Sequence, residues 1–403
     1  MRQIAEMLQK PSNETLFKSF DFDSFQSEHK KYVLESLGLE KTDIESVRPC
    51  SPAQSGMLAD FIKSNGDLYW NRLVLKVKED IDISRLRDAW SNAMARHEML
   101  RTGFIHLKDP NSPFAMVTYT AKYATLPWFE SSTTPSEEEL HDRRKSFSES
   151  LHLAQWQVAL RHSPANIEVE FMAMHAIYDA QSLDMILSDV VRLYKGSKLS
   201  PPVPVDPILG HILTAASSIS SDAESFWSTV GSEYQITKFP NLTPFNVRNH
   251  DLIVSSQLAS KSLMTINKKC KALGVSLQAV GQAAYARLLA NYTSETNVSF
   301  GVVLSGRDFH NNAEEAVFPC LVTVPFQCRV QRSNRELISS IMKTNALLVK
   351  HQFTPLSKIQ RLFQQEGPLI DTLFVYQKLS HKEAEAQFWG VVDDDARVDV
   401  SYY

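Results

Sequence analysis

Apolar and polar positions alternate over Ile167-Glu168-Val169-Glu170 and then give way to the unbroken apolar run Phe171-Met172-Ala173-Met174. That pattern predicts a strand entering a core. Beyond it, Leu183, Ile186, Leu187, Val190, Val191 and Tyr194 recur at helical spacing and predict a helix that ends at Lys195-Gly196, with Ser182 as its cap. The residues between, Met174-His175-Ala176-Ile177-Tyr178-Asp179-Ala180, set a histidine and an aspartate four positions apart at a strand-to-helix junction. Such junctions let rigid elements hold a side chain toward a cleft without packing it away.

The same reading along the chain predicts a helix over about 53–63 and a strand over Trp70 to Val77. A helix begun by Ser84 follows, with Leu86, Ala89, Trp90, Ala93, Met94 and His97 on one stripe. Strands are expected near Gly103 to Leu107 and Phe114 to Tyr119, and a charged helix over about 136–149. In the second half the expected elements are strands at Asp251 to Gln257, Asn297 to Leu304, Leu321 to Val330 and Thr372 to Tyr376, with helices at about 259–273, 276–291 and 334–350 and a short one opened by Pro355. Residues 1 to about 45 read as a helical arm leading into the stiff segment Arg48-Pro49-Cys50-Ser51-Pro52. The proline-rich run Pro201 to Pro207 marks the boundary between two α/β halves. The last residues, Val398 to Tyr403, stop within alternating strand-like sequence, from which a truncated second half is expected.

Composition narrows the function classes. With 403 residues and 43% hydrophobic content the chain can bury a large core and is long enough for two domains. Its formal charge of −4 is spread without a long basic run, which argues against nucleic-acid binding. The cysteines Cys50, Cys270, Cys320 and Cys328 have no C-x-x-C spacing, so neither a zinc site nor a disulfide framework is expected, and a reducing cytoplasmic setting is. The N-terminus carries acids and no apolar core of a signal peptide. No apolar run approaches the roughly 20 residues needed to span a bilayer, so no membrane partner is expected.

Read alone, the His175 and Asp179 pair fits a core histidine bonded to a structural aspartate as well as a catalytic loop. No nucleophile elbow, phosphate-binding glycine loop or dinucleotide fingerprint is present, and neither an adenylating segment nor a carrier-protein serine motif. The decision falls to other segments. Ser51-Pro52-Ala53-Gln54-Ser55-Gly56-Met57-Leu58 and Arg96-His97-Glu98-Met99-Leu100-Arg101-Thr102-Gly103-Phe104 resemble the first two motifs of the condensation domains of fungal nonribosomal peptide synthetases, particularly siderophore synthetases. Met174 to Ala180 lies where that family carries His-His-x-x-x-Asp-Gly. Gly301 to Asp308, Pro319 to Phe326 and His351 to Leu356 are similar to its later motifs.

The resemblance implies an α/β fold of two α+β sandwiches. These would be two chloramphenicol acetyltransferase-like halves, 46–208 and 209–403, arranged as a V with a tunnel between them. It implies no directly bound cofactor. The substrates would be an acyl or peptidyl thioester and an amine, each on the phosphopantetheine arm of a carrier protein, with other synthetase modules as further partners. His175 would take a proton from the amine or hydrogen-bond the tetrahedral intermediate. Asp179 would support the loop through a guanidinium, with Arg101 favoured over Arg307 as its partner. Met174, Ala180, Ser182 and Thr323 would be motif positions near the tunnel. Met174 replaces the first histidine and Ala180 the glycine of the motif, while Val322 and Gln327 stand where asparagine and arginine are frequent. Three activities stay open: an amide-forming enzyme, a degenerate scaffold that binds carriers or partner proteins, and a coenzyme A-dependent acyltransferase.

Overall fold

The computed structural model describes residues 20–77, 81–131, 133–162, 167–217, 221–240, 262–309, 312–376 and 388–395. The chain divides into two compact units. One is built from Lys18–Ser218 together with Ser305–Leu321 and the segment from Gln377 onward. The other is built mainly from Ile219–Leu304 and Val322–Tyr376.

In the larger unit, strands β1 (Ile44–Pro49), β3 (Thr102–Asp109) and β4 (Ser112–Tyr119) form an antiparallel sheet in the order β1-β4-β3. Strands β2 (Trp70–Val77), β5 (Trp128–Ser131), β6 (Trp156–His162), β7 (Ile167–Met174) and β11 (Trp389–Asp395) form a second sheet in the order β11-β2-β7-β6-β5. The central strand β7 is buried continuously from Val169 to Met174. That burial accounts for its apolar run, because both faces are covered. Register places Trp70 opposite Met174 and Trp156 opposite Ala173, so two indoles close the end of β7 from which the His175 turn leaves.

Helices of this unit are α1 (Phe22–Leu37), α2 (Pro52–Lys63), α3 (Ile83–Arg96), α4 (Glu137–Glu149), α5 (Ala180–Tyr194) and α6 (Asp206–Ser217). α2 starts on a capping box, with Ser51 accepting from the Gln54 N–H and the Gln54 side chain accepting from the Ser51 N–H. α3 is capped by Asp82 rather than started at Ser84. It packs on α5, and its Trp90 stacks on Trp156 and Phe171 at ring separations of 5.9 and 5.7 Å. Each such aromatic pair adds about 0.5–1.5 kcal/mol beyond area burial. Gly103 of β3 is required by close approach, since a Cβ there would meet the His152 carbonyl oxygen at 2.0 Å.

The smaller unit holds β8 (Asn297–Leu304), β9 (Val322–Arg329) and β10 (Leu373–Val375) in the order β10-β8-β9, with β8 and β9 antiparallel. Its helices are α7 (Ser221–Glu233), α8 (Leu263–Leu273), α9 (Leu277–Thr293), α10 (Asn334–His351) and α11 (Leu356–Phe363). Gln327, which stands where arginine is frequent, ties β9 to the end of α7 by accepting from the Gln235 N–H at 2.8 Å and donating to the Glu233 carbonyl at 2.9 Å. The strand expected at Asp251 to Gln257 lies outside the described residues.

Candidate active site

The His175 turn is a single 3-10 turn, His175–Ile177, between β7 and α5. Three hydrogen bonds fix its backbone. The His175 N–H donates to the Tyr69 carbonyl at 2.8 Å and the Met174 N–H to the Gln155 carbonyl at 2.9 Å. The Gln54 amide of α2 donates to the Ala176 carbonyl at 2.9 Å. Gln54 is fully buried, and the capping box that starts α2 also aims its side chain at the turn. Tyr69 adopts a left-handed backbone with φ 60°. Such a conformation is unfavourable for a tyrosine and is held in place by surrounding structure.

The imidazole of His175 is half-buried. Its Nδ1 lies 2.9 Å from the Tyr178 carbonyl oxygen. A carbonyl can only accept, so Nδ1 carries the proton and Nε2 is left with a lone pair in the neutral ring. Nε2 has no hydrogen-bond partner among the described residues. The ring also stacks on Tyr178, with centroids 5.1 Å apart and planes 6° from parallel. Chemically this is an oriented base, able to accept a proton at one stated atom or to donate there once protonated.

Asp179 performs different work. It is the N-cap of α5, a role expected for Ser182; the helix starts at Ala180, so Ser182 falls in the first turn and its N–H is the capped group. Asp179 Oδ1 accepts from the Ser182 N–H and hydroxyl, both at 2.8 Å, and Oδ2 from the Cys320 N–H at 3.1 Å. Its guanidinium partner is Arg307, whose Nη2 meets both carboxylate oxygens at 2.7 Å. The expectation that favoured Arg101 is therefore corrected. Arg101 is committed elsewhere, to Glu45 at 2.7 Å and to the Tyr119 carbonyl, where it ties β1 to β4. Sequence proximity to a motif pointed to Arg101, whereas the segment Ser305–Leu321 brings Arg307 into the larger unit.

Arg307 also donates to the carbonyls of Ala313, Ala316 and Phe318. It is 2% exposed and Asp179 5%. Two charges so buried do not stabilise by their attraction alone, because desolvation opposes it. The backbone donors and acceptors around them satisfy the remaining valences and turn the pair into a rigid knot. Burial, opposed by the Arg307 charge and reinforced by that of Asp179, pushes the neighbouring Cys320 thiol up to about 12, so it stays protonated and inert at neutral pH.

Met174 is fully buried behind the turn and Ser182 fully buried within the knot. Ala180 is half-buried as the first residue of α5. Thr323 is half-buried on β9 of the other unit, paired in register with Val303. Three contributors escaped the sequence reading: Gln54, Tyr178 and Asn71, whose amide donates to the Tyr178 hydroxyl at 2.8 Å. Gln54 and Tyr178 stood inside quoted motifs; Asn71 carried no local signal. Among the described residues no cluster of three or more His, Cys, Asp or Glu could hold a metal ion, and no helix is long and apolar enough to cross a membrane.

Comparison with known proteins places this geometry in a family. Residues 44–402 match the family profile described as the condensation domain. The chain is 43% identical over 411 residues to the nonribosomal peptide synthetase sidC of Arthroderma benhamiae, covering 100% of the chain and 8% of that protein. It is 27% identical over 394 residues to the hydroxamate-type ferrichrome siderophore peptide synthetase of Schizosaccharomyces pombe, covering 93% of the chain and 8% of that protein. It thus spans less than a tenth of either relative. The fold superposes on the condensation domain from the Monacolin K polyketide synthase MokA with a TM-score of 0.69 at 14% identity, over 88% of this chain and 86% of that one. The chain belongs to the condensation domain family, and its relatives are fungal nonribosomal peptide synthetases of the siderophore kind.

Proposed function

We propose that this chain forms amide bonds within a siderophore-type peptide synthetase, joining an acyl or peptidyl thioester to an amine. The observation that carries the reading is the His175 imidazole, with Nδ1 committed to the Tyr178 carbonyl and Nε2 unengaged at the end of a fixed turn. In the reaction the amine nitrogen attacks the thioester carbonyl. As the new C–N bond forms, Nε2 of His175 accepts a proton from that nitrogen. Collapse of the tetrahedral intermediate breaks the C–S bond, and the departing sulfur takes up the proton as a thiol. Both substrates arrive on phosphopantetheine arms of carrier proteins, so the chain itself needs no bound cofactor, and its setting is cytoplasmic. Asp179 and Arg307 hold the loop and take no part in proton transfer, because every acceptor on Asp179 is filled.

In this reading the functional halves are 46–208, which carries the loop, and 209–403, preceded by a helical arm over 1–45. Loss of the first motif histidine is tolerated because Met174 points into the core behind the turn. Ala180 adds only a methyl at the first turn of α5. Intact-mass detection of amide product tests the proposal, using the folded chain, thioester-loaded carriers and a panel of amines. His175→Ala should lower product formation by about 10²-fold or more while leaving the fold intact. Full activity in that variant would remove the catalytic assignment.

A further inference from the structure

We propose that Tyr178, anchored by Asn71, is the positioning residue that selects the rotamer and tautomer of His175. The inference rests on His175 being the proton acceptor in the reading above, but its geometry stands apart from the identity of the substrates. The Tyr178 ring contacts the imidazole as a near-parallel stack, at 5.1 Å and 6°. Its opposite constraint is an edge contact with Phe171 of β7, at 6.2 Å and 73°. The ring is 4% exposed, so it cannot swing away without opening the core. Its hydroxyl is held by the Asn71 amide at 2.8 Å.

Asn71 is informative because packing does not account for it. It lies on β2, two residues past Tyr69, and its carbonyl oxygen is buried with no hydrogen-bond partner among the described residues. A buried amide with an unpaired oxygen is unfavourable. What Asn71 does make is the bond to Tyr178. The same strand end contains the left-handed Tyr69, whose carbonyl receives the His175 N–H. Backbone strain gathered beside a reactive side chain is the pattern of a positioned site. β2 and the residue that leads into it thus hold His175 twice, by its backbone through Tyr69 and by its ring through Asn71 and Tyr178.

The carbonyl of Tyr178 alone would permit the imidazole to tilt about its χ2 bond and let Nδ1 drift out of line with it. The stacked ring opposes oblique χ2 values, which drive the imidazole edge into the tyrosine face, and a 180° flip, which keeps the plane, is opposed by the carbonyl because it would face Cδ2 instead of Nδ1. Side chain and main chain of one residue then enforce the same tautomer, with Nδ1 protonated and Nε2 facing outward as the base.

The test labels histidine nitrogens in the full chain and reads the two ring nitrogens of His175 by NMR, assigning them among the 12 histidines with His175→Gln. The unmodified chain should show protonated Nδ1 and unprotonated Nε2. Tyr178→Leu, which keeps bulk but removes the stack, should give mixed tautomers and lower kcat about 10-fold or more with KM nearly unchanged. Tyr178→Phe and Asn71→Leu are milder changes that preserve packing, and they should shift the tautomer signals in the same direction with a smaller loss of kcat. Unaltered tautomer signals in all three variants would overturn the proposal, since the carbonyl would then suffice. A chain that forms no amide yet loses its tautomer preference in these variants would count against the proposed reaction and for the positioning role.

Discussion

α5 carries two buried carboxylates ten positions apart, Asp179 at its start and Asp189 near its end, and they are built to different specifications. Ten residues correspond to about 15 Å along the axis. Asp179 meets one cation, Arg307, and three protein donors, with side chains only 2% and 8% exposed. Asp189 meets three cationic or titratable groups and, among the described residues, no backbone donor. Arg96 lies at 2.8 Å, His97 at 3.1 Å and Arg192 at 3.5 Å. The first arrangement fixes a loop through short, mutually dependent bonds. The second braces α3 against α5 through redundant charges, of which the half-exposed Arg192 is the one that solvent replaces most readily. Only the first touches the backbone next to His175, so the two should respond differently to loss of a partner.

The largest effect is expected from Arg307→Met. It leaves Asp179 buried without its cation and frees the carbonyls of Ala313, Ala316 and Phe318, which should cost about 3–5 kcal/mol in denaturant unfolding. Amide formation should fall with it, because the turn that aims His175 ends at the Asp179 cap. Adding Asp179→Asn removes the uncompensated charge and should recover part of the loss. A single Arg307→Met variant as stable as the parent would mean that the knot is not what holds the loop.

Much of this comparison could be foreseen, though not its decisive contact. The helix expected over 53–63 is observed as Pro52–Lys63, and the strands expected from Trp70 to Val77 and over Ile167 to Met174 are observed with those bounds. Periodicity was sufficient there because each element buries one clear set of side chains. The helices α6 and α7 were missed for a shared reason. Each contains an interior glycine, Gly210 or Gly231, that reads as a breaker. In the fold these glycines admit a neighbour. A Cβ at Gly210 would lie 3.3 Å from the ring of Phe22, and one at Gly231 would lie 2.6 Å from that of Phe363. β6, seven residues over Trp156–His162, is absent from the expected elements because it is buried on both faces, Gln157 and Arg161 included, and so shows no clean alternation of apolar and polar positions. At the site, His175 and Asp179 were legible as a local pattern. The pairing of Asp179 with Arg307 spans 128 positions, and no local pattern encodes which distant guanidinium arrives.

A smaller effect is expected at the other end of α5. Burial alone would raise the Asp189 carboxyl, but the hydrogen bond and charge of His97, with those of Arg96, outweigh it and leave the group below its ordinary value of 3.8. A lowered folded-state value means that the stabilisation is fully present above pH 3.8 and is lost as the pH falls through that lowered value. Asp189→Asn should therefore cost about 1–2 kcal/mol at neutral pH and flatten the stability profile on its acid side, with amide formation nearly unchanged. Urea unfolding at pH 7 and near pH 3 measures both. A loss equal to that of Arg307→Met would erase the distinction between brace and knot.

The smallest effect should come from Glu45→Ala, which extends the comparison to the arginine that sequence proximity favoured. Arg101 is buried like Arg307, with a side chain 6% exposed, but its carboxylate partner Glu45 is 48% exposed. Water can therefore take the place of Glu45 at the outer face of the guanidinium, whereas the Asp179 pair, with side chains 2% and 8% exposed, leaves little room for it. The Tyr119 carbonyl stays in position to accept from Arg101 Nη1. Unfolding should be eased by about 1 kcal/mol or less, and the effect should shrink further in high salt. The carboxylate partner, more than the guanidinium, then determines whether an arginine in this fold is structural mortar or an ordinary surface contact. If Glu45→Ala cost as much as Arg307→Met, burial of the arginine alone would set the penalty, and the contrast between the two ends of α5 would have to be explained by their cations.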